Sequence, residues 1–270
     1  MNNFTVDSES SLRLIIFLGI FVFLALLELV SPRRKLRYSK WQRWLNNLAL
    51  STFNTILVTL LVPIAGVGAA LLAQEQRWGL FNILQMPAWL SFLGFILLFD
   101  LAIYGQHRLF HLVPLLWRLH RVHHTDLDYD LTTGSRFHPG SILISAGIKI
   151  GLVIVLGASV AAILFAEVIL NATSMFNHSN IKLPPALDAF LRRLIVTPDM
   201  HRVHHSVDEG EHNHNFGFNF SWWDRLFGSY LEQPRATHED MAIGIEGMQD
   251  EKSIQFFRLL IQPVENPKSD

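Results

Sequence analysis

The chain has 270 residues, half of them hydrophobic, and its 22 Lys and Arg against 23 Asp and Glu leave a net charge of −1, with a positive mean hydropathy of +0.27. This balance reads as a single membrane-embedded domain over residues 1–270 and excludes a nucleic-acid partner held by charge. Cysteine is absent, which removes disulfides, iron–sulfur clusters, thiolate-ligated haem and a Cys nucleophile, so any metal must be held by His, Asp, Glu or Asn.

Four apolar stretches, at about 12–30, 47–73, 87–105 and 142–170, meet or approach the roughly 20 residues that a helix needs to cross hydrocarbon. The first follows the polar start MNNFTVDSES, which lacks the basic segment of a cleavable signal, and reads as a retained anchor. Next comes a basic loop, Arg33, Arg34, Lys35, Arg37, Lys40 and Arg43, with Trp41 and Trp44 suited to an interface. The positive-inside rule places that loop in the cytoplasm and the N-terminus on the opposite side. The second and third stretches form a hairpin about Gln74 to Gln85, and the chain returns to the cytoplasm near Tyr104. The fourth carries Gly151, Gly157, Ala158 and Ser159 near its middle. It predicts two half-helices that enter and leave by one face, because a single crossing would part the histidines on either side of it. The expected fold is an all-α membrane protein of about four transmembrane segments, the last a re-entrant helical hairpin, with a cytosolic histidine-rich di-metal cap.

His120-x-x-His123-His124 and His201-x-x-His204-His205 both lie in the string HRVHH. Chance would give roughly 0.03 copies of this spacing at this histidine content. Positions i, i+3 and i+4 share a helix face, so each triplet is expected to aim three imidazoles at a common point, and imidazole suits iron, zinc, copper and nickel. His107 and His111 stand at i and i+4 just before the first triplet, and His178 lies between the two. Nine candidate ligands are too many for one tetrahedral zinc and suit two metals in an all-nitrogen cage. Asp100, Tyr104, His107 and His111 form one helical stripe, and Asp100, an acid in an apolar span, is a candidate to hold the free ring nitrogen of a ligating His. Glu167, Asn171, Ser174 and His178 repeat that spacing and are expected to face the first stripe across the metals. His138, His212, His214 and His238 read more readily as bystanders.

The segments HRLFH, LWRLHRVHH, FNHSN, TPDMHRVHH and NFGFNFSWWDRLFGSY, in this order, resemble the histidine boxes and trailing signature of the fatty acid hydroxylase and sterol desaturase superfamily over about residues 92–230. The resemblance implies a membrane-bound di-iron oxidase with its metals in a cytosolic cap over a small helical bundle. Its ligands would be His107, His111, His120, His123, His124, His178, His201, His204 and His205, with no catalytic residue needed beyond them. Several relatives carry H-x-x-x-H in the third box, whereas Ser174 stands four residues before His178. That departure leaves room for an open position, a water, or a tenth ligand from Asn171, Glu167 or His138.

The implied cofactors are two iron ions, with zinc able to substitute in isolated protein, and dioxygen. The implied reaction is hydrogen abstraction from an unactivated C–H bond of a membrane lipid, followed by hydroxylation or desaturation. Sterol, fatty acyl, ether lipid and carotenoid all remain open as substrates. The chain carries no Rossmann fingerprint, flavin motif or haem domain, so electrons are expected from a separate reductase, ferredoxin or cytochrome. The alternative is a membrane protein that binds or transports a divalent metal, which expects ligands along a transmembrane path; a di-zinc hydrolase would mix carboxylates among its ligands. Trp222-Trp223-Asp224-Arg225 is expected to pack the cap. Two stretches have one apolar helical face: Leu187, Phe190, Leu191, Leu194 and Ile195 opposite Arg192, and Ile254, Phe257, Leu260 and Ile261. Each fits either a lipid entrance or packing against the cap.

Overall fold

The computed structural model describes residues 6–62 and 64–266; the first five residues of the polar start lie outside them. The helices run in the order α1 (Val6–Val30), α2 (Lys40–Leu61), α3 (Gly66–Glu75), α4 (Leu80–Ile83), α5 (Ala88–Leu112), α6 (Pro114–His124), α7 (Pro139–Leu156), α8 (Val160–Asn177), α9 (Pro185–Leu191), α10 (Pro198–His204), α11 (Glu209–His212), α12 (Trp222–Leu226) and α13 (Phe256–Ile261). Among the described residues no strand forms; three isolated bridges, such as Pro32 with Ile181, stitch loops together.

Among the described residues five segments are long and apolar enough to cross a membrane: Ser11–Val30, Lys40–Ile83, Ala88–Leu112, Pro139–Leu156 and Val160–Asn177. This is one more than the four apolar stretches of the sequence, because the fourth stretch folds as two helices. Gly157 ends α7 in the left-handed conformation at φ 72°, and Ser159 caps α8 by accepting from Ala162 N. A side chain at 157 would also meet Trp78 O at 2.5 Å, so glycine is required twice over. α7 begins beside the histidines and α8 returns to them, so the turn falls where the sequence predicts, but each helix has 18 residues and is long and apolar enough to cross a membrane, whereas the sequence predicts two half-helices. The second stretch, by contrast, is not one helix. Its first helix, α2, ends at Leu61, and α3 begins at Gly66 and packs on α7 and α8.

The apolar core sits where α3, α5, α7 and α8 meet, around Phe95, Phe99, Val153, Ala162 and Ile163. The outward faces remain apolar and exposed, with Ile15, Phe23 and Leu29 on α1 and Ile56 and Leu60 on α2. In water such a surface would be a liability; against lipid it is ordinary.

The remaining chain forms a polar cap at one end of the bundle, where α1, α5 and α8 end and α2 and α7 begin. Glu28 at the end of α1 accepts from Leu131 N and Asn180 N, both at 2.8 Å, and pairs with Lys40. Arg43 at the start of α2 is fully buried and forks onto Asp126 and Asp130. The basic loop is therefore on the same side as the histidines, but much of its charge is spent inside the cap: Arg33 pairs with Asp199 and Glu239.

Neither amphipathic stretch is a continuous apolar face. α9 ends at Leu191, Arg192 is buried on Asp188, and Leu187, Phe190 and Leu194 point outward. Near the C-terminus Ile254 is buried while Phe257 and Ile261 are exposed.

Candidate metal centre

Four helix ends deliver the histidines. α5 carries His107 and His111 out of the apolar bundle, and Pro114 at the first turn of α6 restarts the helix in a new direction. α6 supplies His120, His123 and His124; His178 caps the C-terminus of α8. α10 opens on Thr197, whose side chain accepts from Met200 N, followed by Pro198, and supplies His201, His204 and His205. All but His111 are buried, and His111 is half-buried.

The nine imidazoles divide into two groups whose nitrogens lie within 4.8 Å of one another: His107, His111, His120, His124 and His204, and His123, His178, His201 and His205. This corrects the expectation that each triplet converges on one point. At about 100° per residue, positions i and i+4 are some 40° apart, whereas i+3 points about 60° the other way. Each triplet therefore gives its i, i+4 pair to one group and its i+3 residue to the other. His120 and His124 join the first group with His204, while His201 and His205 join the second with His123.

Hydrogen bonds at the outer ring nitrogens fix which nitrogen faces inward. His107 Nδ1 lies 2.8 Å from Phe216 O, His204 Nδ1 2.7 Å from His214 O, His178 Nδ1 2.7 Å from Ser174 O and His123 Nδ1 3.3 Å from Arg136 O. A carbonyl only accepts, so each Nδ1 carries the proton and each Nε2 presents a lone pair. Yet His204 Nε2 and His107 Nε2 are 2.9 Å apart, and His178 Nε2 stands 3.1 Å from His123 Nε2. Two lone pairs at that distance repel unless a cation lies between them.

A proton is a poor candidate for that cation. Burial first, then neighbouring imidazoles, holds His120, His123, His124, His201, His204 and His205 well below the ordinary histidine value, and burial takes His178 down to about 3. Nitrogens that share one metal through bonds of about 2.1 Å are about 3.0–3.4 Å apart. Both nitrogens of His120 and His205 also lack hydrogen-bond partners among the described residues. Neutral, preoriented and crowded at metal-ligand spacing, the set fits two metal ions.

A family model described as fatty acid hydroxylase matches residues 92–229, half of the chain and the segment that holds all nine histidines. The chain belongs to the fatty acid hydroxylase family. With its five long apolar segments, it is an integral membrane protein. The ornithine lipid hydroxylase of Rhizobium tropici is 30% identical over 148 residues, 55% of this chain and 43% of that protein. The alkylglycerol monooxygenase of Xenopus tropicalis is 25% identical over 193 residues, 69% of this chain and 41% of its own length; the human one is 26% identical over 170 residues, 63% and 36%. The chain thus matches less than half the length of these curated relatives. No solved structure matches it.

Four further residues named from the sequence fall outside both groups. Asp100 does not hold a histidine: its carboxylate accepts from Asn219 N, Phe220 N and Trp223 Nε1. It anchors the loop of the trailing fatty acid hydroxylase signature, and that loop in turn presents Phe216 O to His107. Glu167 lies deep in the bundle, paired with Arg13 and facing Lys149. The Asn171 amide donates to Glu167 O, and Asn171 and Ser174 line the chamber that His107 also lines. His138 caps α7, its Nδ1 accepting from Gly140 N and its Nε2 donating to Leu260 O. Asp100, Glu167 and His138 therefore join neither histidine group.

The bystander reading suits His212, which stacks on Trp117 with ring centroids 5.5 Å apart, and His214, which contributes its carbonyl to His204. Trp223 and Asp224 do pack the cap: Asp224 accepts from Phe216 N, Gly217 N and Ser229 Oγ.

The sequence reading missed the backbone carbonyls that set the ring tautomers, and it missed Arg43. Arg43, Asp126, Asn47 and Thr133 form a fully buried network beneath α6, and Arg136, which bonds Asn47 and Val122 O, presents its own carbonyl to His123. The alternating acids Asp126, Asp128 and Asp130 directly after the first triplet were the available signal.

Proposed function

We propose that this chain is an O2-dependent lipid hydroxylase, a single membrane-embedded domain whose nine grouped histidines hold two iron ions in the cell. The observation that carries the reading is the facing of Nε2 lone pairs at 2.9 Å between His204 and His107 and at 3.1 Å between His178 and His123, one pair in each all-histidine group. An all-nitrogen set without carboxylates disfavours a di-zinc hydrolase. Its collection in the cap, away from the middle of the spans, disfavours a metal-transport path.

The chemistry that an iron pair supplies when bound is dioxygen activation and removal of hydrogen from an unactivated C–H bond. Hydroxylation then balances as C–H with O2, two electrons and two protons giving C–OH and water, the electrons coming from a separate reductase, ferredoxin or cytochrome. The protein's own work is positional. The carbonyls of Phe216, His214, Ser174 and Arg136 hold ring tautomers; burial keeps imidazoles neutral and water out.

A chamber of about 380 Å3 opens from His107, His120 and His123 into the bundle between α2, α5, α7 and α8, within the size range of single-ligand sites. It gives a lipid access to the histidines from membrane depth. The names of the relatives, a lipid hydroxylase and monooxygenases, favour hydroxylation over desaturation. The basic loop beside the cap supports a cytoplasmic site and an N-terminus across the membrane. The test is to supply 18O2 to membranes that contain the protein and profile their lipids. One labelled oxygen in a hydroxylated lipid is expected with wild type and not with His204→Ala. No labelled lipid from either would overturn the reading.

A further inference from the structure

The chamber beneath the histidines is not a plain hydrocarbon slot. On α2, Ser51, Thr55 and Thr59 stand at i, i+4 and i+8 along its wall, and on α7 Ser141, Ser145 and Lys149 repeat the spacing opposite. At membrane depth such groups are costly unless they find partners. Most donors among them are already spent at home: Thr55 Oγ1 donates to Ser51 O, Thr59 Oγ1 to Thr55 O and Ser141 Oγ to His138 O. What these hydroxyls still offer is acceptor lone pairs.

Two stronger acceptors stand at the histidine end. Asn54 lines the chamber, is 4% exposed, and donates its amide to Phe137 O; the Phe137 ring lies against His123 with centroids 4.4 Å apart. Its Oδ1 accepts nothing among the described residues, and neither does the buried Oε1 of Gln106, the residue before His107. Buried acceptors without donors are rare in folded proteins and point to a missing partner. The cation in the wall, Lys149, faces Glu167 at 3.5 Å, a carboxylate that also pairs with Arg13, and it stands two turns along α7 from Ser141, whereas both unpartnered acceptors at the histidine end are uncharged amides. The rest of the wall, including Ile103, Phe110 and Leu170, is apolar and suits an attached chain.

Building on the hydroxylase reading, we propose that the chamber takes the polar end of a lipid bearing uncharged hydrogen-bond donors, hydroxyl or amide N–H. Asn54 and Gln106 are its specificity-determining acceptors, and the carbon brought to the histidines lies beside those donors, not in mid-chain. A bare alkyl or polyprenyl chain would leave both acceptors stranded at the reacting end.

The test is binding, independent of turnover. Detergent-purified protein is titrated with a long-chain vicinal diol and with the same molecule methylated on both hydroxyls, and complexes are counted by native mass spectrometry. The diol should bind at least tenfold more tightly. Gln106→Met, which breaks no hydrogen bond of the fold, should reduce the preference severalfold, and Asn54→Leu should do likewise. Equal binding of the two lipids, binding of neither, or a preference unchanged in both variants would overturn the assignment. Labelled product formed by a protein that shows no diol preference would remove this inference while leaving the hydroxylase reading in place.

Discussion

Asp126→Asn tests whether the cap, and not the histidines alone, holds the site. The Asp126 carboxylate accepts from Arg43 Nε at 2.8 Å, Arg43 Nη2 at 2.7 Å, Thr133 Oγ1 at 2.8 Å and Asn47 Nδ2 at 3.2 Å. Both side chains of the pair are completely buried. An amide there turns a donor toward a guanidinium that has only donors. Removing one partner of a buried pair costs about 3–5 kcal/mol; Asp130 still engages Arg43, so the lower end, about 3 kcal/mol, applies. At about 2–4 °C per kcal/mol for a chain of this size, Tm falls by about 6–12 °C, read by tryptophan fluorescence of purified protein in detergent.

The effect has a pH signature. Burial alone would raise the Asp126 carboxyl, but the Arg43 guanidinium outweighs it and holds the group well below its ordinary value of 3.8. Its stabilisation is therefore fully present above that value and lost as pH falls through the lower folded value. The variant should lack this acid-side slope. A Tm within about 2 °C of wild type at neutral pH would refute the reasoning, because no surface pair costs more than about 1 kcal/mol.

Asp100→Leu strands three donors in the signature loop and should cost about 3 kcal/mol or more; because the same loop carries Phe216 O, metal content should fall as well, measured on the same sample. His138→Ala should lose a helix cap and the bond to Leu260 O, together about 2 kcal/mol, with metal content unchanged; loss of a metal equivalent would restore His138 as a ligand. Burial depresses His238 to about 4, against the pull of Asp199. A histidine with a lowered folded pKa stabilises above its ordinary value of 6.5 and loses that contribution as pH falls toward 4. Cap stability should accordingly decline across that window in wild type and decline less in His238→Gln.

The histidine spacing carried most of the site, because i and i+4 relations survive any packing of a helix. What it could not carry was the division of each triplet, since that depends on where α6 and α10 stand relative to α5 and α8. Asp100 shows the same limit: an acid in an apolar span does need partners, but the loop at 219–223 that supplies them is over a hundred residues away in sequence. Gly157 and Ser159 announced the α7–α8 hairpin because a left-handed cap followed by an N-cap is a local device. The division of the second stretch into α2 and α3 was masked by uniform hydropathy from one to the other.

The central claim is that two groups of histidines hold two metals. Elemental mass spectrometry of detergent-purified protein, wild type beside His123→Ala and His204→Ala, tests it directly. Because the two substitutions strike different groups, the account predicts about two metals per chain in wild type and a loss in each variant. One metal or none in wild type, unchanged by either substitution, would contradict it.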